Sequence, residues 1–79
     1  MELAQIEAFL TLCEELHFGR TAERLRVSQP RVSRLIASLE SEIGAALAER
    51  TSRRVVLTPL GSRLRDELVP AYSTLTTAV

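Results

Sequence analysis

The chain has 79 residues, 46% of them hydrophobic, and its ten arginines are balanced by ten acidic residues, so the net charge is zero. This length suits one small domain with a single aliphatic core, and the charge balance argues against a non-specific binder of polyanions. One cysteine, one histidine and no glycine-rich phosphate loop exclude a disulfide framework and predict no enzymatic, metal or cofactor site.

The first predicted element is an amphipathic helix from Leu3 to Leu16. Its apolar residues follow the i, i+3, i+4, i+7 spacing of a helix face and are Ile6, Phe9, Leu10, Cys13 and Leu16. Cys13 is expected to pack there as a reduced, small hydrophobic residue. Because the sequence has no long apolar run, it predicts neither a signal peptide nor a membrane span. The single reduced cysteine predicts a cytoplasmic location. His17 lies at the following break and is assigned no chemistry.

Two helices separated by a tight turn are predicted next. Arg20 to Leu25 forms a short helical stretch in which the small Ala22 permits a close helix crossing, as in a helix-turn-helix motif. Arg26 stands in the turn, where many such motifs have glycine, and this leaves the turn conformation open. Ser28 is a good N-cap, so the second helix should begin at Gln29.

The second of these helices has one apolar face and one face of small residues. The apolar face carries Val32, Leu35, Ile36, Leu39 and Ile43, whereas Pro30, Arg34, Ala37 and Ser41 point the opposite way. An outer face of small side chains, with arginines near the start of the helix, suits the major groove of DNA. An ordinary solvated helix face remains the alternative for this segment alone. Gly44 is a natural C-terminal residue for the helix.

Positive charge is concentrated in two stretches of the sequence. Residues 20–39 carry five arginines and one glutamate, and residues 50–65 carry five arginines and no acid. Within the second stretch, β-branched residues after a polar turn predict a small two-stranded wing over about residues 47–57. Arg53 and Arg54 lie at its tip with Arg50 nearby, and these three arginines are either phosphate contacts or part of a solvated turn.

A long helix is predicted after Thr58 and Pro59, which form an N-cap and a first helical residue. Apolar residues then recur every three or four positions, and nothing else in the chain is expected to cover them, so a second copy is the simplest partner. The stripe, and with it the predicted dimer interface, contains Leu60, Leu64, Leu68, Tyr72 and Leu75. Pro70 is expected to kink or interrupt this helix near Val69.

Two stretches, ELHFGRTAERLRVSQPRVSR and LESEIGAALAERTSRRVVLTPLG, resemble the N-terminal DNA-binding region of LysR-type transcriptional regulators. The resemblance implies a mainly α fold, a winged helix-turn-helix of three helices and a two-stranded β wing, followed by a long linker helix. The expected boundaries are 1–58 for the DNA-binding domain, with its helix-turn-helix at about 18–37, and 59–79 for the linker and dimerisation helix. A C-terminal effector-binding domain, which the family carries, is expected to be absent from this chain.

The resemblance also implies roles for individual residues. Gln29, Pro30 and Arg31 would meet base edges, Ser33 and Arg34 would hold phosphates or bases, and Arg53 would reach the DNA backbone or minor groove. Ser38 on the small face and Arg54 on the wing complete the predicted DNA-binding set.

The leading functional hypothesis is sequence-specific binding of double-stranded DNA by a homodimer on an interrupted inverted repeat, with higher oligomers open to a full-length protein. The competing hypothesis is a non-DNA helical interaction module that uses the Leu60–Val79 stripe. A protein-docking helix would more often present leucine or aromatic anchors on the face that is small here. We expect no membrane association and no cofactor.

Overall fold

The computed structural model describes residues 1–51 and 54–78, and the predicted Arg53 therefore lies outside the described residues. Four helices and one antiparallel hairpin follow one another along the chain, as expected for a winged helix-turn-helix with a further helix. Their bounds are α1 Leu3–Glu15, α2 Phe18–Leu25, α3 Gln29–Ile43, β1 Ala48–Arg50, β2 Val55–Leu57 and α4 Pro59–Ala78.

The core forms where α1 packs against α2, α3 and α4 at once. Because α1 is contacted from three sides, its buried surface is wider than the stripe predicted from periodicity. Ala8 and Leu12, which lie beside that stripe, are fully buried, whereas Leu16, assigned to it, is exposed. The other fully buried apolar side chains are Phe9, Val32, Leu39 and Leu47.

Local signals set the ends of α2 and α3. The imidazole Nδ1 of His17 accepts the backbone N–H of Arg20 at 3.0 Å, so this exposed histidine caps α2. Ser28 Oγ accepts the N–H of Arg31 at 3.2 Å, and α3 begins at Gln29 as predicted. Gly44 ends α3 with φ 86°.

The turn between α2 and α3 is closed by a left-handed residue. Arg26 has φ 58°, a conformation that costs free energy for any residue with a Cβ. The N–H of Val27 donates to the carbonyl of Ala22 at 3.1 Å, which satisfies one carbonyl at the end of α2. The helix-turn-helix therefore forms with arginine in the position where glycine is the easier residue.

The hairpin is held to the helices by the segment before β1. Glu40 Oε2 accepts the backbone N–H of Leu47 at 2.7 Å and that of Ala48 at 3.3 Å. On the other side of this segment, the N–H of Thr58 donates to the carbonyl of Leu47 at 3.0 Å. These bonds fix the base of the wing, in which Ala48 pairs with Leu57 and Arg50 pairs with Val55.

The predicted start of α4 is correct, and of the two outcomes expected at Pro70, a kink or an interruption, the interruption does not occur. Thr58 Oγ1 accepts the N–H of Gly61 at 3.0 Å, and the helix begins at Pro59. The helix then continues through Pro70 to Ala78, so the expected interruption does not occur. Pro70 is exposed, which keeps its ring out of the core.

The apolar stripe of α4 is partly covered by the domain itself, contrary to expectation. Leu60, Leu64 and Leu68 are half-buried against the core. Further along, the phenol of Tyr72 donates to Glu7 Oε2 at 2.7 Å, which fastens α4 to α1. Leu75 is 50% exposed. Only the last part of the stripe therefore lacks a partner among the described residues.

Across residues 1–51 and 54–78, no helix combines the length and the apolar character that crossing a bilayer requires.

Candidate nucleic-acid interface

The first two turns of α3 project polar side chains away from the core. Gln29, Pro30, Arg31 and Arg34 are exposed, and Ser33 is half-buried. Neither arginine forms an ion pair with another described residue, so both guanidinium groups are free to bind an anion. The positive end of the α3 dipole lies at the same place.

Beyond Arg34, the outer face of α3 carries small side chains, as predicted. Ala37 and Ser41 are both exposed and small, so a large body can approach the helix closely. Ser38 lies toward α1, where its Oγ accepts from Gln5 Nε2 at 3.0 Å. The buried Gln5 therefore orients the hydroxyl of Ser38 while the residue stays exposed.

The wing places two further arginines beside the start of α3. Arg50 and Arg54 line one groove together with Gln29, and both are exposed. The backbone carbonyl of Arg54 accepts the N–H of Thr51 at 2.8 Å. The sequence placed Arg50 near the wing tip, and its proximity to Gln29, which the sequence did not predict, depends on the contact of Arg50 with Phe18 of α2.

Two arginines of the basic stretch 20–39 form ion pairs within the domain and do not contribute to this surface. Arg24 Nη1 bonds to Glu14 Oε1 at 2.6 Å and to Glu15 Oε2 at 3.1 Å. Arg20 Nε lies 3.4 Å from Glu15 Oε1. These ion pairs join α2 to the end of α1 and raise the pKa of Arg24 above its ordinary value. The local positive potential of this stretch therefore comes from α3 and the turn before it.

A second concavity lies between α1 and α4. Its lining includes Leu10, Cys13, Val69 and Tyr72. Within the described ranges, no three histidine, cysteine or acidic side chains come close enough to hold a metal ion. The chemistry available in the α3 and wing region is the binding of a polyanion with hydrogen-bonding edges.

The chain matches a known family over most of its length. Residues 3–62 match the model described as "Bacterial regulatory helix-turn-helix protein, lysR family". An uncharacterized HTH-type transcriptional regulator of Escherichia coli, YnfL, is 49% identical over 63 residues, which are 80% of this chain and 21% of that protein. The HTH-type transcriptional regulator AlsR of Bacillus subtilis is 48% identical over 61 residues, 77% of this chain and 20% of that protein. The chain thus spans about a fifth of the length of these relatives.

Solved structures share the same arrangement of helices and wing. The crystal structure of a BenM DBD/catB site 1 DNA complex superposes with a TM-score of 0.94 at 36% identity, covering 99% of this chain and 88% of the other. A full-length OxyR variant from Pseudomonas aeruginosa gives a TM-score of 0.92 at 36% identity over 99% of this chain and 26% of its own. The mainly helical fold and the order of its elements are therefore those of known LysR-type domains.

Proposed function

The chain belongs to the LysR family of bacterial regulatory helix-turn-helix proteins, and from this premise we propose that it binds specific sequences of double-stranded DNA with α3 and the wing. The relatives are named as transcriptional regulators, and one superposed structure is a DNA complex. No catalytic step is part of this function. Residues 1–58 would form the DNA-binding domain, and residues 59–79 the linker and dimerisation helix.

One observation carries the proposal. The exposed start of α3 holds Arg31 and Arg34, which form no ion pair with another described residue. They lie next to the exposed wing residues Arg50 and Arg54. In the proposed complex, Gln29, Pro30 and Arg31 face base edges. Ser33, Arg34 and Ser38 follow along the groove. Arg53 reaches the DNA backbone or the minor groove beside the wing, and Arg54 holds the backbone.

A homodimer is the proposed binding unit. The last turns of α4 offer Leu75 and Val69, which are 50% and 51% exposed, and between them the half-buried Tyr72. Leu60, Leu64 and Leu68 would contribute only the edges that the core leaves uncovered. Pairing of two copies around a two-fold axis presents two α3 helices, so the preferred DNA site is an interrupted inverted repeat. The competing interaction-module hypothesis has no support from the relatives named above.

The experiment begins with selection of duplexes from a random pool by the purified chain, followed by titrations at several salt concentrations. Arg34→Ala should weaken binding to the selected site by more than about 1 kcal/mol, because its guanidinium is exposed on α3. Gln29→Ala should change selectivity at one or two base pairs. Arg54→Ala should weaken all sequences alike and reduce the salt slope by about one unit.

Thermal melts of each variant serve as the folding control. A folded Arg34→Ala variant with unchanged affinity would remove α3 from the interface, and identical base-selectivity profiles for Gln29→Ala and the wild type would contradict base reading by Gln29. Failure of the pool to yield any enriched sequence, with weak binding that does not depend on salt, would overturn the proposed function itself.

A further inference from the structure

A buried glutamine in the first turn of α1 contacts a residue on the outer side of α3. Gln5 is only 3% exposed, although its side chain ends in a polar amide. Its Nε2 donates to Ser38 Oγ at 3.0 Å and to Glu42 Oε1 at 3.4 Å. Because burial of an amide is costly unless the amide is hydrogen-bonded, these bonds fix the position of the Gln5 side chain.

The orientation of the Gln5 amide follows from its bond to the residue that precedes α1. Its Oε1 accepts the backbone N–H of Glu2 at 2.7 Å, and only the oxygen of an amide can accept such a bond. The nitrogen must therefore point toward α3. A flipped amide would place its NH2 group against the N–H of Glu2 and its oxygen against the carboxylate of Glu42, so both ends favour the same arrangement.

This orientation decides which hydrogen-bonding role is left to Ser38. A hydroxyl group has one proton to donate and two lone pairs that accept. Ser38 Oγ uses a lone pair to accept from Gln5, and no described residue accepts the hydroxyl proton. The N–H of Gln5 repels that proton, which is therefore directed away from α1. Since Ser38 is exposed, the proton is available to an acceptor outside the domain.

Ser38 lies on the part of α3 that the proposed duplex approaches. It follows Arg34 by one helical turn and precedes Ser41 by three residues, and all three residues are exposed. The major groove offers two kinds of acceptor, base atoms such as N7 and O6 of guanine and the oxygens of backbone phosphates. The amino groups of cytosine and adenine are donors, and a hydroxyl with its proton directed outward pairs poorly with them.

We propose that Gln5 is a positioning residue for DNA recognition: it fixes Ser38 as a hydrogen-bond donor, and Ser38 then pairs with an acceptor atom of the duplex. This inference rests on the proposed function, since the acceptor belongs to the DNA that α3 reads. The acceptor is a base atom or a phosphate oxygen, and the test separates the two. Gln5 is buried and acts only through Ser38.

The first test reverses the polarity of the contact. In Gln5→Glu, one carboxylate oxygen still accepts the N–H of Glu2, but the other accepts the proton of Ser38 and turns it away from the DNA. Adding Glu42→Gln removes the repulsion between two neighbouring carboxylates and restores the net charge of the wild type. This double variant should bind the selected duplex about fivefold more weakly than Glu42→Gln alone. Ser38→Ala should lose about as much relative to the wild type.

A double-mutant cycle measures whether Gln5 acts through Ser38. Gln5→Ala should weaken binding about threefold when Ser38 is present and should have no effect on a Ser38→Ala chain. Thr11→Val is the matched control, because Thr11 is a buried polar residue of the same helix that lines the concavity toward α4 and not the contact with α3. It should leave affinity and base selectivity unchanged. Thermal melts establish that each variant is folded.

Two scans of the duplex identify the acceptor. Base analogues that each lack one major-groove acceptor, such as 7-deazaguanine, test the base edges, and single methylphosphonates test the phosphates. One substitution should weaken the wild type and leave Ser38→Ala unaffected. A sensitive base analogue assigns Ser38 to a base edge, and a sensitive phosphate assigns it to the backbone. If every substitution affects the two chains equally, Ser38 has no partner on the duplex and the inference is wrong.

The remaining outcomes separate this inference from the proposed function. Selective binding by the wild type, together with a folded Ser38→Ala variant of equal affinity, would overturn the role of Ser38 alone. Equal losses from Gln5→Ala with and without Ser38 would make Gln5 a structural residue only. If Gln5→Ala does not fold, the polarity-reversed double variant decides, and affinity equal to that of Glu42→Gln would overturn the positioning role. Absence of selective duplex binding by the wild type would remove the proposed function, and the inference with it.

Discussion

The carbonyl oxygen of Leu47 lies so close to the Cα of Gly61 that a Cβ on Gly61 would be 2.0 Å from it. The same carbonyl accepts the N–H of Thr58 at 3.0 Å, so it has little freedom to move away. Gly61 is buried and has no positive φ, and its role is to let α4 touch the segment before the wing.

Gly61→Ala should therefore destabilise the domain by more than about 2 kcal/mol, because the new methyl group meets backbone and not a flexible side chain. Urea unfolding followed by circular dichroism measures the change. Gly44→Ala is the matched comparison: its φ of 86° is strained for alanine, but no atom lies within 4 Å of the new Cβ. We expect a cost of about 1 kcal/mol there. Equal costs at the two glycines would contradict the close contact.

Glu40 should be important for the attachment of the wing. Its Oε2 accepts two backbone N–H groups, and Glu40→Ala would leave those of Leu47 and Ala48 without that acceptor. We expect a loss of about 1–3 kcal/mol for alanine and a smaller loss for glutamine, which retains an acceptor oxygen. Glu23→Ala on the exposed surface of α2 is the control. A Glu40→Ala domain as stable as this control would show that the two bonds contribute nothing net.

Arg26→Gly should stabilise the fold, because Arg26 has φ 58° in the turn. Relief of the left-handed strain is expected to contribute about 0.5–1 kcal/mol after the entropy that glycine adds to the unfolded chain. Glu23→Gly, on the exposed surface of α2, should instead destabilise by about 1 kcal/mol. If both substitutions lower the unfolding midpoint in urea, strain at position 26 is not significant.

The half-buried thiol of Cys13 should react slowly. Desolvation raises its pKa from 9.0 to about 11, partly offset by the positive charge of Arg65. At pH 8 the thiolate fraction is then about 100-fold lower than for an unperturbed thiol, and labelling by a disulfide reagent should slow accordingly. Urea-unfolded chain is the control, and equal labelling rates in the two states would argue against burial.

The same shift has a pH consequence. The unfolded thiol loses its proton at lower pH than the folded one, so the contribution of Cys13 to stability is complete below about pH 9 and is lost as the pH rises toward 11. Cys13→Ala should remove this part of the alkaline decline, as measured by urea unfolding at a series of pH values.

Substitutions along α4 should divide into two groups. Leu64→Asp should destabilise the monomer, since Leu64 packs on the core. Leu75→Asp should leave the domain folded and weaken only the proposed dimer, because Leu75 is 50% exposed. Sedimentation equilibrium, with thermal melts alongside, measures both effects. A Leu75→Asp chain that dimerises like the wild type would place the dimer interface elsewhere.

Sequence reasoning predicted the ends of the helices well where the signal is local. Ser28, Gly44 and Thr58 act within one turn of their own positions, and each lies where it was expected. The polar turn before the β-branched Val55 and Val56 likewise predicted the hairpin. The His17 cap was missed because histidine is not among the residues that usually cap helices.

Predictions that depended on distant parts of the chain were less successful. Periodicity alone did not show that α1 is packed on three sides, nor that the first half of the α4 stripe is covered by the core. The contact of Arg50 with Phe18 joins residues far apart in sequence, and no local pattern announces it. The predicted DNA-binding and dimer residues themselves stay predictions until the variants are measured.

The hydrogen bond between Tyr72 and Glu7 couples the orientation of α4 to that of the rest of the domain. It joins residues 65 positions apart, and three leucines earlier in α4 are half-buried against the core, so α4 is held to the domain from Leu60 to Tyr72. In the proposed dimer, a change in the angle between the two α4 helices would then rotate each domain as a whole. Over its 39 Å long dimension, a tilt of about 5° moves the far end by about 3 Å, close to the rise of one base pair. The angle at which the ends of the two α4 helices cross would thereby set the preferred spacing between the two DNA half-sites.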